Sequence, residues 1–303
     1  MSSPNALKSQ PARLPQGTGV AIITPFSKDG SVDFKSLENL VEHIIKGKVE
    51  YIVALGTTGE TVTLTKEEKA EILQLVIKVT NGRVPIVLGI GGNNTAELVH
   101  TIEKTDFTGI HTILSVSPYY NRPNQEGLYL HYKAIAQASP VPIMLYNIPG
   151  RTGSNMTDET TLRLANDFEN ITGIKEASGS LQQMMNIIKN RPKGFQVISG
   201  DDAITLPLVA CGGDGIISVV ANAYPKDFSE MVRLTLSGNY EEARKLHYKF
   251  LTIIGLLFAD GNPGGIKAVL EMMGICPADV RLPLASINKK VHAALAEEMK
   301  LLK

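Results

Sequence analysis

Pro142-Ile-Met-Leu-Tyr146, Ile171-Thr-Gly-Ile-Lys175 and Phe195-Gln-Val-Ile-Ser199 are short apolar runs, and longer amphipathic segments separate them, Asp158 to Asp167 and Leu181 to Lys189. Runs this short, apolar on both faces and joined by helices, belong to a parallel sheet covered on both sides. The same alternation extends outward in both directions. Upstream lie Gly19 to Thr24 with Asp33 to Lys46, and Tyr51 to Leu55 with a helix to Val79 capped by Thr65, three residues before Glu68. Pro85 to Ile90 precedes Thr95 to Lys104, and His111 to Val116 precedes Gln125 to Ala138. Downstream, Ala203 to Ala210 follows the third run, and Gly215 to Val220 leads to Pro225 to Leu236. Eight strand–helix units predict an α/β fold, a closed (β/α)8 TIM barrel, over an open doubly wound sheet. No GxGxxG opens the first helix, which argues against a dinucleotide-binding fold.

The remaining segment contains no strand-like run. It reads as three helices, Tyr240 to Phe258, Gly265 to Met273 and Leu284 to Leu302. The expected organisation is a flexible leader over 1–16, a barrel over 17–238 and a C-terminal three-helix appendage over 239–303. The apolar stretch Phe250 to Ala259 and the aromatic pair Tyr119-Tyr120 are expected at subunit contacts.

Composition narrows the function classes. The 303 residues carry 30 Lys+Arg and 30 Asp+Glu, a formal net charge of zero. Neither nucleic acid nor an anionic membrane is expected as partner, since both call for a basic excess. The longest apolar run is about half of the roughly 20 residues that a membrane span requires. Cys211 and Cys276 lack metal or redox spacing and read as thiols of a reducing compartment, so the expected location is the cytoplasm. The six histidines stand singly, away from metal-ligand spacing, so no metal site and no metal-dependent aldolase is expected.

In such a barrel, chemistry gathers where the strands end and the βα loops converge. Those positions carry Gly56-Thr57-Thr58-Gly59-Glu60, Tyr119-Tyr120-Asn121, Tyr146-Asn147 with Arg151 beyond, Lys175, and Ser199-Gly200-Asp201. Lys175 is the one lysine within a predicted strand. Position alone divides evenly between a paired or snorkelling lysine and a nucleophilic amine. Its neighbour Glu176 cannot be the partner in a regular strand, because adjacent side chains face opposite ways. A dry mouth lined by Tyr and Thr favours the free amine, which is the form that attacks a carbonyl. Tyr146, ending the preceding strand, is either a packed aromatic or a phenol able to pass protons to that lysine's adduct. The GTTG turn offers backbone N–H groups and hydroxyls to a small carboxylate, against the plainer reading of a turn. Arg151 could clamp a second carboxylate or serve as a surface ion-pair partner.

Five segments, in order, resemble the dihydrodipicolinate synthase family. They are Gly56-Thr-Thr-Gly-Glu60, Tyr119-Tyr-Asn-Arg-Pro123 with Gln125-Glu-Gly127, Tyr146-Asn-Ile-Pro149 with Arg151-Thr-Gly153, Gly173-Ile-Lys-Glu-Ala-Ser178 and Ser199-Gly-Asp-Asp202. The likeness runs from about residue 17 to the end of the sequence. It implies a class I aldolase-like lyase that condenses pyruvate with aspartate 4-semialdehyde, the entry step of the diaminopimelate route to lysine, with no metal or organic cofactor. It implies that Lys175 forms the pyruvate imine and that Thr57, Tyr146 and Tyr120 relay protons, Tyr120 reaching into a neighbouring subunit's site. Thr58 would hold pyruvate's carboxylate, Arg151 that of the semialdehyde, and Gly200 and Ile217 would line the pocket. The implied assembly is a homotetramer, a dimer of dimers.

N-acetylneuraminate lyase and 2-keto-3-deoxy sugar-acid aldolase share the imine chemistry but resemble the chain less at Arg151. A non-catalytic ligand-sensing barrel is the alternative of another class. The resemblance also places a candidate inhibitory lysine site at Thr61, Val62, Lys66, Lys69, Asn93, Glu97 and Tyr119. Lys66 and Lys69 stand there in place of the histidines of lysine-sensitive members. Their charge should repel a cationic ligand, so weak or absent inhibition is expected.

Overall fold

The computed structural model describes residues 13–302. Eight parallel strands close into a barrel in chain order, β1 pairing with β8. They are β1 (Gly17–Ala21), β2 (Tyr51–Ala54), β3 (Ile86–Gly89), β4 (Thr112–Val116), β5 (Ile143–Asn147), β6 (Ile171–Glu176), β7 (Gln196–Ser199) and β8 (Gly215–Ser218). The helices are α1 (Phe34–Lys46), α2 (Lys66–Thr80), α3 (Thr95–Lys104), α4 (Gln125–Ala138), the short α5 (Pro149–Thr152), α6 (Asp158–Asp167), α7 (Leu181–Asn190), α8 (Thr205–Ala210) and α9 (Pro225–Leu236). Beyond them come α10 (Tyr240–Phe258), α11 (Gly264–Met272) and α12 (Lys289–Leu301); α10 lies against α9 and α12.

Local chemistry starts these helices where the sequence says it should. Thr65 and Glu68 form a reciprocal capping box at α2, and Asp33, Asn94, Asn124, Thr157, Ser180 and Asn239 each accept a backbone N–H through a side-chain oxygen. Two expectations shift. The last helix begins at Lys289 instead of Leu284, because the cap belongs to Asn288, whose side chain accepts from Val291 N–H. The first strand is Gly17–Ala21 instead of Gly19 to Thr24. Ile23 N–H leaves the ladder for the Asn222 side chain, which also donates to Ala21 C=O and so fastens β1 to the β8 loop.

Alternating strand residues feed two cores. Ala21, Tyr51, Val53, Val87, Leu114, Met144, Tyr146, Ile198 and Ile217 fill the barrel interior. The opposite set, among them Val20, Ile52, Ile113, Ile174 and Val197, packs under the helices. The expected leader lies outside the described residues as far as residue 12. Within 13–16, Leu14 is buried in the interior cluster and its carbonyl accepts from Gln196.

One buried group makes the fold sensitive to acid. His131 on α4 is 4% exposed, with Nδ1 against Thr95 Oγ1 at 2.8 Å and no hydrogen-bond partner at Nε2. Burial pushes its pKa down to about 4. The folded value lies below the unfolded one of about 6.5, so the stabilisation is complete above that pH and is lost as pH falls toward 4. Urea unfolding should show wild type losing about 2 kcal/mol more than His131→Gln between pH 7 and pH 5. Parallel losses would contradict this.

Candidate active site

β5 and β6 carry the central pair. Their register sets Tyr146 opposite Lys175, and both side chains point into the barrel near its C-terminal end. Lys175 is 6% exposed and Tyr146 5%, and the lysine Nζ stands 4.4 Å from the centre of the phenol ring. No carboxylate among the described residues lies within ion-pair distance of that Nζ. The space beside it is kept by Gly200 after β7. A Cβ there would meet Lys175 Cε at 3.0 Å and Ala177 Cβ at 2.5 Å.

Lys267 shows what a structural lysine looks like in the same molecule. It is fully buried, bonds Glu60 Oε1 at 2.5 Å and Asp279 C=O at 2.7 Å, and lies 4.2 Å from the centre of the Phe26 ring. Its charge is answered on every side. Lys175 has no ion-pair partner among the described residues; the Tyr146 ring lies against it, and the Asp202 carboxyl acts on it only at longer range.

Around this pair the strand ends bring further groups. After β2, Thr57–Gly59 forms a single tight turn, flanked by Leu55 and Glu60 at positive φ, 56° and 53°. Thr57 is half-buried; Thr58 is buried and its hydroxyl accepts from Asn262 Nδ2 at 3.1 Å. Ile217 of β8 lies in the interior cluster with Tyr146. Asp202 is buried beside β8, accepting from Ser218 Oγ at 2.5 Å and Val219 N–H at 3.2 Å. Burial pushes its pKa up to about 6, against the pull of those bonds and of the Lys175 charge.

Two of the expected site residues stand on the rim, outside the barrel interior. Tyr120 is 90% exposed. It is the centre of a three-residue turn, with Asn121 N–H bonding Tyr119 C=O at 2.9 Å and φ at 71°. That γ-turn conformation is strained for a bulky side chain. Arg151, on α5, is exposed and makes no ion pair among the described residues. The residues of the candidate regulatory site lie on the turn before α2, on α2 itself, on the loop to α3 and α3, and after β4. Asn93 Nδ2 donates to Tyr119 C=O at 3.4 Å, and burial lowers the Lys69 pKa, Lys66 adding to the effect and Glu97 opposing it.

The chain matches the Dihydrodipicolinate synthetase family over residues 14–302. It belongs to that family. A curated relative, 4-hydroxy-tetrahydrodipicolinate synthase of Phocaeicola vulgatus, is 54% identical over 286 residues, covering 93% of this chain and 96% of the relative. A crystal structure of the chloride-inhibited dihydrodipicolinate synthase of Acinetobacter baumannii, complexed with pyruvate, is 41% identical with a TM-score of 0.92, covering 95% of this chain and 98% of that one. The lysine-bound enzyme of Cyanidioschyzon merolae is 38% identical with a TM-score of 0.92, covering 96% and 99%. The closed eight-stranded barrel is shared by these dihydrodipicolinate synthase structures.

Sequence reasoning missed how the C-terminal segment fastens itself to the mouth of this family member. Glu60, quoted only as the end of GTTGE, is 3% exposed and accepts from Lys267 and from Arg281 N–H at 3.0 Å. Arg281 also spans Glu68 through two N–H groups, at 2.7 and 2.5 Å, and faces the Phe26 ring at 4.4 Å. Asn262 and Lys267 carried no signal, since a polar residue in an apolar helix or a Gly-Asn-Pro turn reads as solvent-facing. Lys267→Met leaves the Glu60 carboxylate buried without its cation, which should cost about 3–5 kcal/mol in urea unfolding. Adding Glu60→Gln removes the stranded charge and should recover most of that loss. Equal stability of the single and double variants would contradict the assignment.

Proposed function

We propose that the chain catalyses condensation of pyruvate with L-aspartate 4-semialdehyde to 4-hydroxy-tetrahydrodipicolinate, through an imine at Lys175. The observation that carries this reading is the unpaired, buried Lys175 amine against the Tyr146 ring, in a chain that belongs to the dihydrodipicolinate synthetase family. In the sequence of steps, Nζ attacks the pyruvate C2 carbonyl and water leaves. The protonated imine draws electrons from the methyl carbon, a methyl proton departs, and the resulting enamine attacks the aldehyde. The amine of the second substrate then displaces Lys175 and closes the ring.

Each remaining residue has a part in this scheme. Tyr146, Thr57 and Tyr120 handle the protons, and the Tyr120 phenol is supplied by a neighbouring subunit. Its high exposure and strained turn support that reading, because such strain persists where function holds it. Thr58, whose hydroxyl accepts from Asn262, keeps its own proton to donate to pyruvate's carboxylate. The exposed Arg151 guanidinium receives the carboxylate of the semialdehyde, the contact that separates this substrate from a sugar acid. Gly200 and Ile217 shape the wall. The proposed assembly is a homotetramer built from dimers, and the proposed location the cytoplasm. No helix among the described residues is long and apolar enough to cross a membrane.

Borohydride reduction with pyruvate should add one reduced pyruvate to the Lys175 peptide and none to Lys175→Ala, with mass spectrometry as readout. An unlabelled wild type, or a label on another lysine, would overturn the reading. N-acetylneuraminate and 2-keto-3-deoxy sugar acids assayed beside aspartate semialdehyde should be turned over far more slowly.

The seven residues from Thr61 to Tyr119 are proposed as a weak site for lysine. Lys66 and Lys69 bring like charge to a cationic ligand, and Glu97 offsets only part of it. Steady-state assays should show little inhibition at sub-millimolar lysine, and strong inhibition there would contradict this.

A further inference from the structure

Why Lys175 faces inward at all is a question of strand register. Along β5, Ile143 and Leu145 pack under the helices while Met144 and Tyr146 point into the barrel. Along β6, Ile171 and Ile174 both pack under the helices, although three residues apart. A regular strand cannot place both there, because side chains alternate with period 2. The register accounts for the break. Ile143 pairs with Ile171 but Met144 pairs with Gly173, so Thr172 is an extra residue, a β-bulge. Without it, Tyr146 would stand opposite Ile174, and Lys175 would stand opposite Asn147 on the helix side. The bulge turns the amine into the barrel.

A bulge shifts register but does not by itself hold the shifted one. Beyond it, Asn147 pairs with Glu176 on the outer face, one residue past the catalytic pair. The two are fully buried, and Asn147 Nδ2 donates to both Glu176 oxygens, at 3.2 and 3.0 Å. Glu176 also accepts from Ser178 N–H at 2.7 Å and Gln183 Nε2 at 2.8 Å, while Asn147 Oδ1 accepts from Met156 N–H at 3.0 Å. A buried carboxylate satisfied by these donors has no equally good arrangement one residue away, where an apolar or cationic side chain would face Asn147.

We infer that Asn147 and Glu176 are positioning residues, a register clamp that keeps Lys175 opposite Tyr146 after the bulge at Thr172 has turned it inward. Neither touches substrate; both act through the backbone of the catalytic pair. This rests on the imine at Lys175 proposed above. Asn147→Asp sets a second carboxylate against Glu176 and breaks the clamp. Asn147→Asp with Glu176→Gln restores a donor facing an acceptor across the same register, with the Asn155 and Gln183 amides, which now accept from Asn147 and donate to Glu176 at 2.8 Å, turning over to match.

The test reads the single-turnover rate constant for imine formation with pyruvate, quenched by borohydride and followed at the Lys175 peptide, together with kcat, KM and melting temperature. A first-order rate constant does not depend on the fraction of molecules folded, so a purely structural role would leave it unchanged. The clamp predicts a fall of at least tenfold in that constant and in kcat for Asn147→Asp, with KM for the semialdehyde within threefold of wild type. It predicts recovery to within threefold of wild type in the double variant. Should Asn147→Asp fail to fold, Asn147→Ala removes the donor without adding charge and should show the same slowing. Wild-type rate constants in the variants, with only the melting temperature lowered, would overturn the clamp while leaving the imine reading intact. A wild type that gains no label would overturn the imine reading itself, and the clamp with it.

Discussion

An ammonium taken out of water has to be answered by an opposite charge or by several hydrogen-bond acceptors, or the fold bears its desolvation penalty of several kcal/mol. Among the described residues, two lysine side chains are buried at the same end of the barrel, and they are treated differently. Lys267 receives a carboxylate, a carbonyl and a ring, and with Arg281 it binds the C-terminal segment to the β2 loop. Lys175 receives one ring and no ion-pair partner, and its methylene chain packs where only a glycine fits at position 200. A stabilising role explains the first and leaves the second without a reason, whereas a reactive amine needs an environment of the second kind.

The rest of the structure serves that placement. The barrel interior is filled with Tyr51, Val53, Val87, Leu114 and Met144, and Ile198 stands beside Lys175 on the adjacent strand, so the catalytic pair rests on a packed apolar core. The β2 turn that carries Thr57 and Thr58 is held from outside the barrel, by Asn262 at Thr58 and by Lys267 and Arg281 at Glu60. The C-terminal helices are therefore part of the site's construction, even though the chemistry lies on the strands.

Much of this was legible in the chain. Apolar runs separated by capped amphipathic segments gave the eightfold alternation, and Thr65 with Glu68 located a helix start to the residue. The strand-end residues Lys175, Tyr146, Thr58 and Gly200 could be named because barrel geometry sends that end of every strand to one mouth. The bulge was not legible, since Ile171-Thr-Gly-Ile reads as an ordinary strand until its partner's register is known. The Glu60–Lys267 pair was hidden because it joins positions far apart in sequence, and nothing local marks either residue as buried. Glu176 was correctly set aside as a partner for Lys175, but its own partners on β5 and α7 emerged only from the folded arrangement.

The proposed chemistry turns on a covalent bond at one nitrogen, and crystals of the protein soaked in pyruvate would display it directly. The predicted result is continuous electron density from Lys175 Nζ to C2 of the 2-oxo acid, with the ligand's carboxylate at the Thr58 turn. Unlinked pyruvate in the pocket, or density joined to any other side chain, would contradict it.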